Sequence, residues 1–276
     1  MRVRLYICLG SLALMQVLLL FMRSISRATS ETGPASAGTN KLVRQPKDGS
    51  WWCPDCSGEL CDRKFLFIVA TGRSGSSTLL NMVNQVPGFF LWGENHGALG
   101  GLALMQQRFL EAANQTCPGS APLETPLRCS KLLRNARDVV WEWLAPPSFQ
   151  SDWKRVEVRG FKELRWNSTI FQFIRRSCPC SRLIFSFRLD LEAQTHSAFF
   201  KRSKKTKEDL LARMEATSAL VAQSGLPVYS LALENFTAAE FTRLARWLGA
   251  PCTFDTVYNT NSGGHIDAAT TQARCL

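Results

Sequence analysis

Histidine is nearly missing from this chain. His96, His196 and His265 are the three in 276 residues. That scarcity weighs against a metal centre built on imidazole, and the cysteines do not replace it. CPDCSGELC at 53–61 sets Cys53 close to Cys56 with Cys61 beyond, but the other close pair, Cys178 and Cys180, lacks knuckle spacing. A closed zinc site asks for four ligands, commonly as two knuckles, so disulfides are the better use of these thiols. Internal repeats are also absent, which excludes a solenoid. No basic run is interleaved with aromatics as in a nucleic-acid binder; KRSKK at 201–205 reads as a solvated helix end. Acidic residues are too few to balance the basic ones, 22 against 33, for a net charge of +11. The first 50 residues hold seven Lys/Arg and two Asp/Glu, so +5 lies there and 11 − 5 = +6 in the rest. Such an excess suits an anionic ligand.

Charge is missing altogether from LYICLGSLALMQVLLLFM, residues 5–22. Eighteen such residues reach about 27 Å as a helix, roughly the thickness of a bilayer core. Arginines flank the run on both sides, at 2, 4, 23 and 27. A cleaved signal peptide would carry a shorter apolar region and a small-residue cleavage site nearby. The expectation is an uncleaved transmembrane anchor, with a short cytosolic tip and the rest of the chain in a lumen. Sequons at Asn114, Asn167 and Asn235 agree with that address. So do ten cysteines, many for a cytosolic protein of this size. Cys8 lies in the apolar run. The other nine are an odd number, so one is free or pairs between chains.

Residues 1–23 are thus read as tip and anchor, 24–50 as a flexible stem, and 51–276 as one folded domain. The stem is rich in Ser, Thr, Ala and Gly without periodicity. Beyond it, apolar runs alternate with helical spacing. Strands are expected near 64–70, 156–163, 182–187 and 227–233. Helices are expected near 76–86, 98–113, 131–144, 167–176, 190–201, 207–223 and 237–248. Strands alternating with helices make an α/β fold of three layers, with a central, mostly parallel sheet covered on both faces.

One more absence frames the chemistry. FLFIVATGRSGSSTLLNMVN at 65–84 is an apolar strand, a small-residue turn and a resumed helical pattern, the layout of a phosphate-gripping loop. The usual P-loop places Lys directly after its second glycine; here Ser76 stands there. Gly72 and Gly75 allow positive φ and close backbone approach. Successive amides and the helix start after Gly75 form an anion nest. Ser74, Ser76, Ser77 and Thr78 add hydroxyls, and Arg73 supplies the charge. A nucleotide triphosphatase would also need an acidic Mg²⁺ partner at a strand end. The strand at 182–187 ends in Arg188 and that at 227–233 in Glu234, which leaves one candidate acid.

TGRSGSSTLL resembles the 5′-phosphosulfate loop of sulfotransferases that use 3′-phosphoadenosine 5′-phosphosulfate (PAPS), especially the membrane-bound Golgi kind. That resemblance makes Gly72, Arg73, Ser74, Gly75, Ser76, Ser77 and Thr78 the binding loop. It also implies a 3′-phosphate site made of an arginine at a strand end and a serine on the next helix. IFSFRLDLEAQTHSAFF supplies Arg188 and Ser197, nine apart. A guanidinium grips a phosphate in bidentate fashion and a hydroxyl completes the cradle. Leu189-Asp190 departs from the Asp-Pro or Asn-Pro of many relatives.

The resemblance further implies a glutamate base after the first helix, which Glu94 in WGENHG matches, with His96 as runner-up. It implies a catalytic lysine between the two cofactor motifs. Lys162 in RGFKELRW is the candidate there, with Arg165 its competitor. A plain ion pair of Lys162 or Arg165 with Glu163 or Glu157 is the structural alternative. Implied too are PAPS as co-substrate without a metal, a Golgi type II membrane address, and an acceptor hydroxyl on a carbohydrate. Protein tyrosine and a small alcohol stay open as acceptors. The competing classes are a P-loop kinase or NTPase, and a non-catalytic sulfotransferase-like protein that binds glycans or a partner.

Overall fold

The computed structural model describes residues 59–112, 129–145, 155–257 and 273–275. The expected membrane segment, the stem, Cys53, Cys56, Cys117, the Asn114 sequon and His265 lie outside them. No helix among the described residues is long and apolar enough to cross a membrane.

The strand β1, Lys64–Ala70, buries all six residues after Lys64. A strand apolar on both faces belongs in the middle of a covered parallel sheet. It lies there: five parallel strands run in the order β2-β3-β1-β4-β5. The others are β2 Phe89–Trp92, β3 Val158–Glu163, β4 Ser181–Phe187 and β5 Val228–Ala232. Phe65, Phe67 and Val69 face one way, into a core with α2 (Ala98–Ala112), α3 (Cys129–Trp143) and α4 (Ser168–Ser177). Phe67 touches Phe161 at 4.9 Å and Trp166 at 6.3 Å between ring centres. Leu66 and Ile68 face the other way, against α1 (Ser76–Val83) and α8 (Ala238–Trp247). These are the expected three layers.

After β1 the chain moves to the far edge for β2, returns to β3, then crosses β1 to β4. The change of side at β1 opens a crevice at its carboxyl end, where ligands bind in such sheets. Register decides what stands beside it. Lys162 of β3 is level with Ile68, and Ser186 of β4 is level with Ala70.

Three local features differ from expectation. The edge strand β2 is four residues long, too short for a periodic signal to stand out after Pro87-Gly88. The helix expected over 190–201 is two, α5 (Leu191–Thr195) and α6 (Ala198–Ser203), because Ser197 is extended between them at φ −64, ψ 143. Ser197 stands at the N-cap of α6, but its hydroxyl makes no capping hydrogen bond. The tail is not wholly irregular: β6 (Cys252–Thr253) and β7 (Arg274–Cys275) pair antiparallel, and a disulfide joins Cys252 to Cys275. Cys61 and Cys180 are also disulfide-bonded. Among the described residues the free cysteine is Cys178. It is wholly buried, so it cannot bridge two folded chains, and burial pushes its thiol far above the ordinary range.

Phe67→Ala removes the ring at the centre of the larger core and is expected to cost about 3–5 kcal/mol, read as a lowered urea midpoint at unchanged slope.

Candidate active site

The turn after β1 has an unusual backbone. Gly72, Arg73 and Gly75 all have positive φ, at 82, 53 and 73. A left-handed conformation at a non-glycine residue is sparsely populated and persists only when its surroundings fix it. At Gly75 a Cβ would stand 2.5 Å from Leu233 Cδ1 and 2.9 Å from Phe236 Cε2. Glycine is therefore required twice there, by conformation and by space. Gly75 is also the N-cap of α1 and offers no side-chain cap, so the helix start stays open to an anion.

Two side chains beyond the turn hold it. Ser186 Oγ donates to the Ser74 carbonyl at 3.0 Å and lies 3.3 Å from Ser74 Oγ, while the Thr71 amide donates to the Ser186 carbonyl. Gln194 Nε2 donates to the Gly72 carbonyl at 2.5 Å. The side chain of Ser74 is therefore fully buried and engaged with the sheet; what it offers a ligand is its backbone. Arg73 and Ser77 stand exposed, whereas Ser76 and Thr78 are buried. Among the described residues Arg73 has no ion-pair partner.

Gln194 belongs to α5, between Arg188 and Ser197, so it joins the two sequence motifs. Arg188 Nε and Ser197 Oγ are both buried without a hydrogen-bond partner. Gln194 Oε1 is in the same state, which puts three of the seven such atoms among the described residues between 188 and 197. Buried polar atoms are ordinarily satisfied, and a cluster of exceptions marks a place for a ligand or water. The nearest carboxylate to Arg188 is Glu234, with Oε1 at 3.8 Å from Nε, beyond hydrogen-bond reach. Glu234 instead accepts from the amides of Leu189 and Asp190, each at 3.0 Å. Burial pushes its carboxyl up, but those amides and the Arg188 charge outweigh burial and hold it below the usual range. The one acid expected as a Mg²⁺ partner thus fixes the Arg188 loop.

Lys162 and Glu94 meet. Lys162 Nζ lies 2.9 Å from Glu94 Oε1, and Lys162 is 8% exposed. The structural alternative, pairing with Glu163 or Glu157, is not what forms. Glu157 pairs with Lys64 at 3.2 Å. Glu163 turns to the opposite face and accepts from the amides of Leu164, Arg165 and Gly97. It thereby ties the end of β3 to the loop that carries Glu94. Upstream, Asn84 clamps Leu91 through both backbone groups, at 2.8 and 2.9 Å. His96 is exposed, at φ 53. Arg165 is exposed. His196 caps the end of α5 from an exposed position.

Sequence reasoning missed Ser186, Gln194, Glu163 and Asn84. Ser186, Gln194 and Glu163 each reach a segment far away in the chain, and Asn84 bonds Leu91 at both backbone groups; no spacing rule announces either. Ser186, a polar residue inside an apolar strand, was the one visible signal.

No family model and no curated protein matches the sequence. Among solved structures the chain is similar to sulfotransferase STF9 from Mycobacterium avium, with 12% identity, 67% of this chain and 64% of that one covered, and a TM-score of 0.33. It is similar to sulfotransferase STF1 from Mycobacterium tuberculosis H37Rv, with 11% identity, 68% of each chain and a TM-score of 0.30. It is also similar to dephospho-CoA kinase from Campylobacter jejuni, with 13% identity, 66% of this chain, 94% of that one and a TM-score of 0.25. The chain spans just under two thirds of the length of STF9. Likenesses this distant assign it neither an activity nor a family.

Glu234→Gln is expected to loosen the Arg188 loop. A carboxyl held low in the folded state stabilises it above the ordinary value of about 4.3, and that share is lost as pH falls through the lowered value. Melting curves of parent and variant should differ most near neutral pH and converge in acid.

Proposed function

We propose that this chain is a lumenal sulfotransferase that moves a sulfuryl group from PAPS to an acceptor hydroxyl, with a carbohydrate as the acceptor. The observation that carries the reading is the company kept at the carboxyl end of β1. An open, positive-φ anion turn follows β1; a buried arginine nitrogen and serine hydroxyl that lack partners come after the neighbouring strand β4, and a lysine–glutamate pair stands at the end of β3 on the other side. Those groups fit a nucleotide with phosphate at two positions. The amides of the turn and Arg73 would hold the 5′ end. Arg188 and Ser197 would hold the 3′-phosphate. PAPS supplies the activated sulfuryl group and a phosphate leaving group.

The chain's own part is positioning and charge. Glu94 takes the proton from the acceptor hydroxyl as its oxygen forms the new bond to sulfur. Lys162, already beside Glu94, places a positive charge where the bond from sulfur to the phosphate oxygen breaks. Glu163 and Asn84 position Glu94 by fixing the segments on either side of it. No step asks for a metal, and no group of three or more His, Cys, Asp or Glu among the described residues is arranged to hold one.

The proposed address is the Golgi membrane, with a single type II anchor at 5–22 and the catalytic domain in the lumen. The disulfide-bonded cysteines, among them Cys252 and Cys275, support an oxidising compartment. The kinase or NTPase reading loses support from the missing lysine and from Glu234, whose carboxylate is engaged by backbone amides.

Incubation of the protein with labelled PAPS and a panel of glycan, peptide and small-alcohol acceptors tests the reading. Label is expected on a glycan without Mg²⁺. Glu94→Gln should cut the rate by about 10²–10⁴ while leaving 3′,5′-ADP affinity in place. Nucleotide binding with no label on any acceptor would favour the non-catalytic alternative, and Mg²⁺-dependent ATP binding would favour a kinase.

A further inference from the structure

Lys201, Arg202, Lys204, Lys205 and Lys207 put five cations into seven residues, and every residue from Lys201 to Asp209 is exposed. A basic run ordinarily belongs to a solvated helix face whose charge is balanced by neighbours. This one does not. The helix α6 stops at Ser203, Lys204 turns left-handed at φ 50, and α7 (Lys207–Gln223) begins behind a Thr206–Asp209 capping box. Phe200 before the turn and Leu210 after it are buried together with Leu191, so the turn is clamped at both ends. Charge balance is poor as well. Among the described residues, the one carboxylate within ion-pair distance of the five is Asp209, 4.0 Å from Lys205. That carboxylate already accepts the Thr206 amide.

The turn is joined to the anion loop through the residue that precedes it. The Phe200 ring comes within 3.4 Å of where a Cβ on Gly72 would stand, and Leu164 Cδ1 within 3.9 Å of the same point. Leu164 in turn accepts from Arg213 Nη2 of α7 at 3.0 Å and is followed by the exposed Arg165. Cations on three segments, the turn, α7 and the end of β3, are therefore linked through single side chains to one glycine of the anion turn. Phe199, 57% exposed, adds an apolar ring beside them.

We propose that this basic turn, with Arg213 and Arg165, is a docking surface for a polyanionic glycan chain, one that carries carboxylate or sulfate groups on successive sugars. Clusters of this size attract such polymers. Cations spread over three segments joined through Phe200 and Leu164 suit an extended chain better than a flat bilayer surface. The proposal names the acceptor class and rests on the sulfotransferase reading.

The test uses the full-length protein in detergent with heparin oligosaccharide, neutral dextran of similar length, and vesicles of phosphatidylcholine and phosphatidylserine as probes. Heparin should bind, more weakly as salt rises, and dextran should not. The combined variant Lys201→Gln, Arg202→Gln, Lys204→Gln, Lys205→Gln and Lys207→Gln should lose about tenfold or more in heparin affinity and show a shallower salt dependence. Its 3′,5′-ADP affinity should match the parent's, which separates loss of the surface from loss of the fold. Replacing the four lysines by arginine should keep heparin binding. Equal heparin affinity in parent and glutamine variant, equal binding of dextran, or capture by the vesicles in place of heparin overturns the proposal. Absence of 3′,5′-ADP binding by the parent overturns instead the nucleotide reading beneath it.

Discussion

The hydrogen bond from Ser186 to the Ser74 carbonyl, with that from Gln194 to the Gly72 carbonyl, keeps the turn after β1 in a shape its own sequence does not favour. Left-handed backbone at Arg73, flanked by two positive-φ glycines, persists where neighbours over-determine it. Here the neighbours are β4 and α5. Arg188 directly follows β4 and Ser197 stands two residues beyond α5, so the device that shapes one anion site also bears on where the second lies. A ligand that spans both is bound by a single rigid unit rather than by two loops that must find each other.

Sheet order makes this possible. With β3 on one side of β1 and β4 on the other, the ends of all three strands converge on one crevice. Lys162 arrives from β3, the anion turn from β1, and Ser186 and Arg188 from β4. The loop after β2 adds Glu94, which pairs with Lys162, and Glu163 accepts the Gly97 amide of the same loop. The exit from β5 contributes Leu233 and Phe236, which leave no room beside Gly75, and Glu234, which anchors the loop after Arg188.

Much of this was legible in the sequence, and the parts that were not share a cause. The buried strands β1 and β4 announce themselves as apolar runs, β3 and β5 as shorter apolar patterns between helices, and most helices by their spacing. Their order in the sheet, and the edge strand Phe89–Trp92, do not, because pairing partners far apart in the chain leave no local trace. Arg188, Ser197, Glu94 and Lys162 could be singled out by residue type and place. That Lys162 would reach Glu94 rather than Glu163 or Glu157 depends on strand register and on which face each side chain takes. The break at Ser197 is an extended backbone at one residue whose hydroxyl makes no capping bond, so no local signal marks it. The basic stretch at 201–205 is the solvated helix end its composition suggests, with Lys201 and Arg202 in the last turn of α6 and Lys204 capping it; that Phe200 and Leu210 are buried together on either side was not legible.

The central claim is that one nucleotide bridges the anion turn and the Arg188–Ser197 pair. A crystal structure of the protein with 3′,5′-ADP tests it most directly. The account predicts the 5′-phosphate on the amides around Gly75, with the 3′-phosphate accepting from Arg188 Nε and Ser197 Oγ. A nucleotide seated elsewhere, or one that engages the turn while Arg188 and Ser197 stay without a partner, would contradict it.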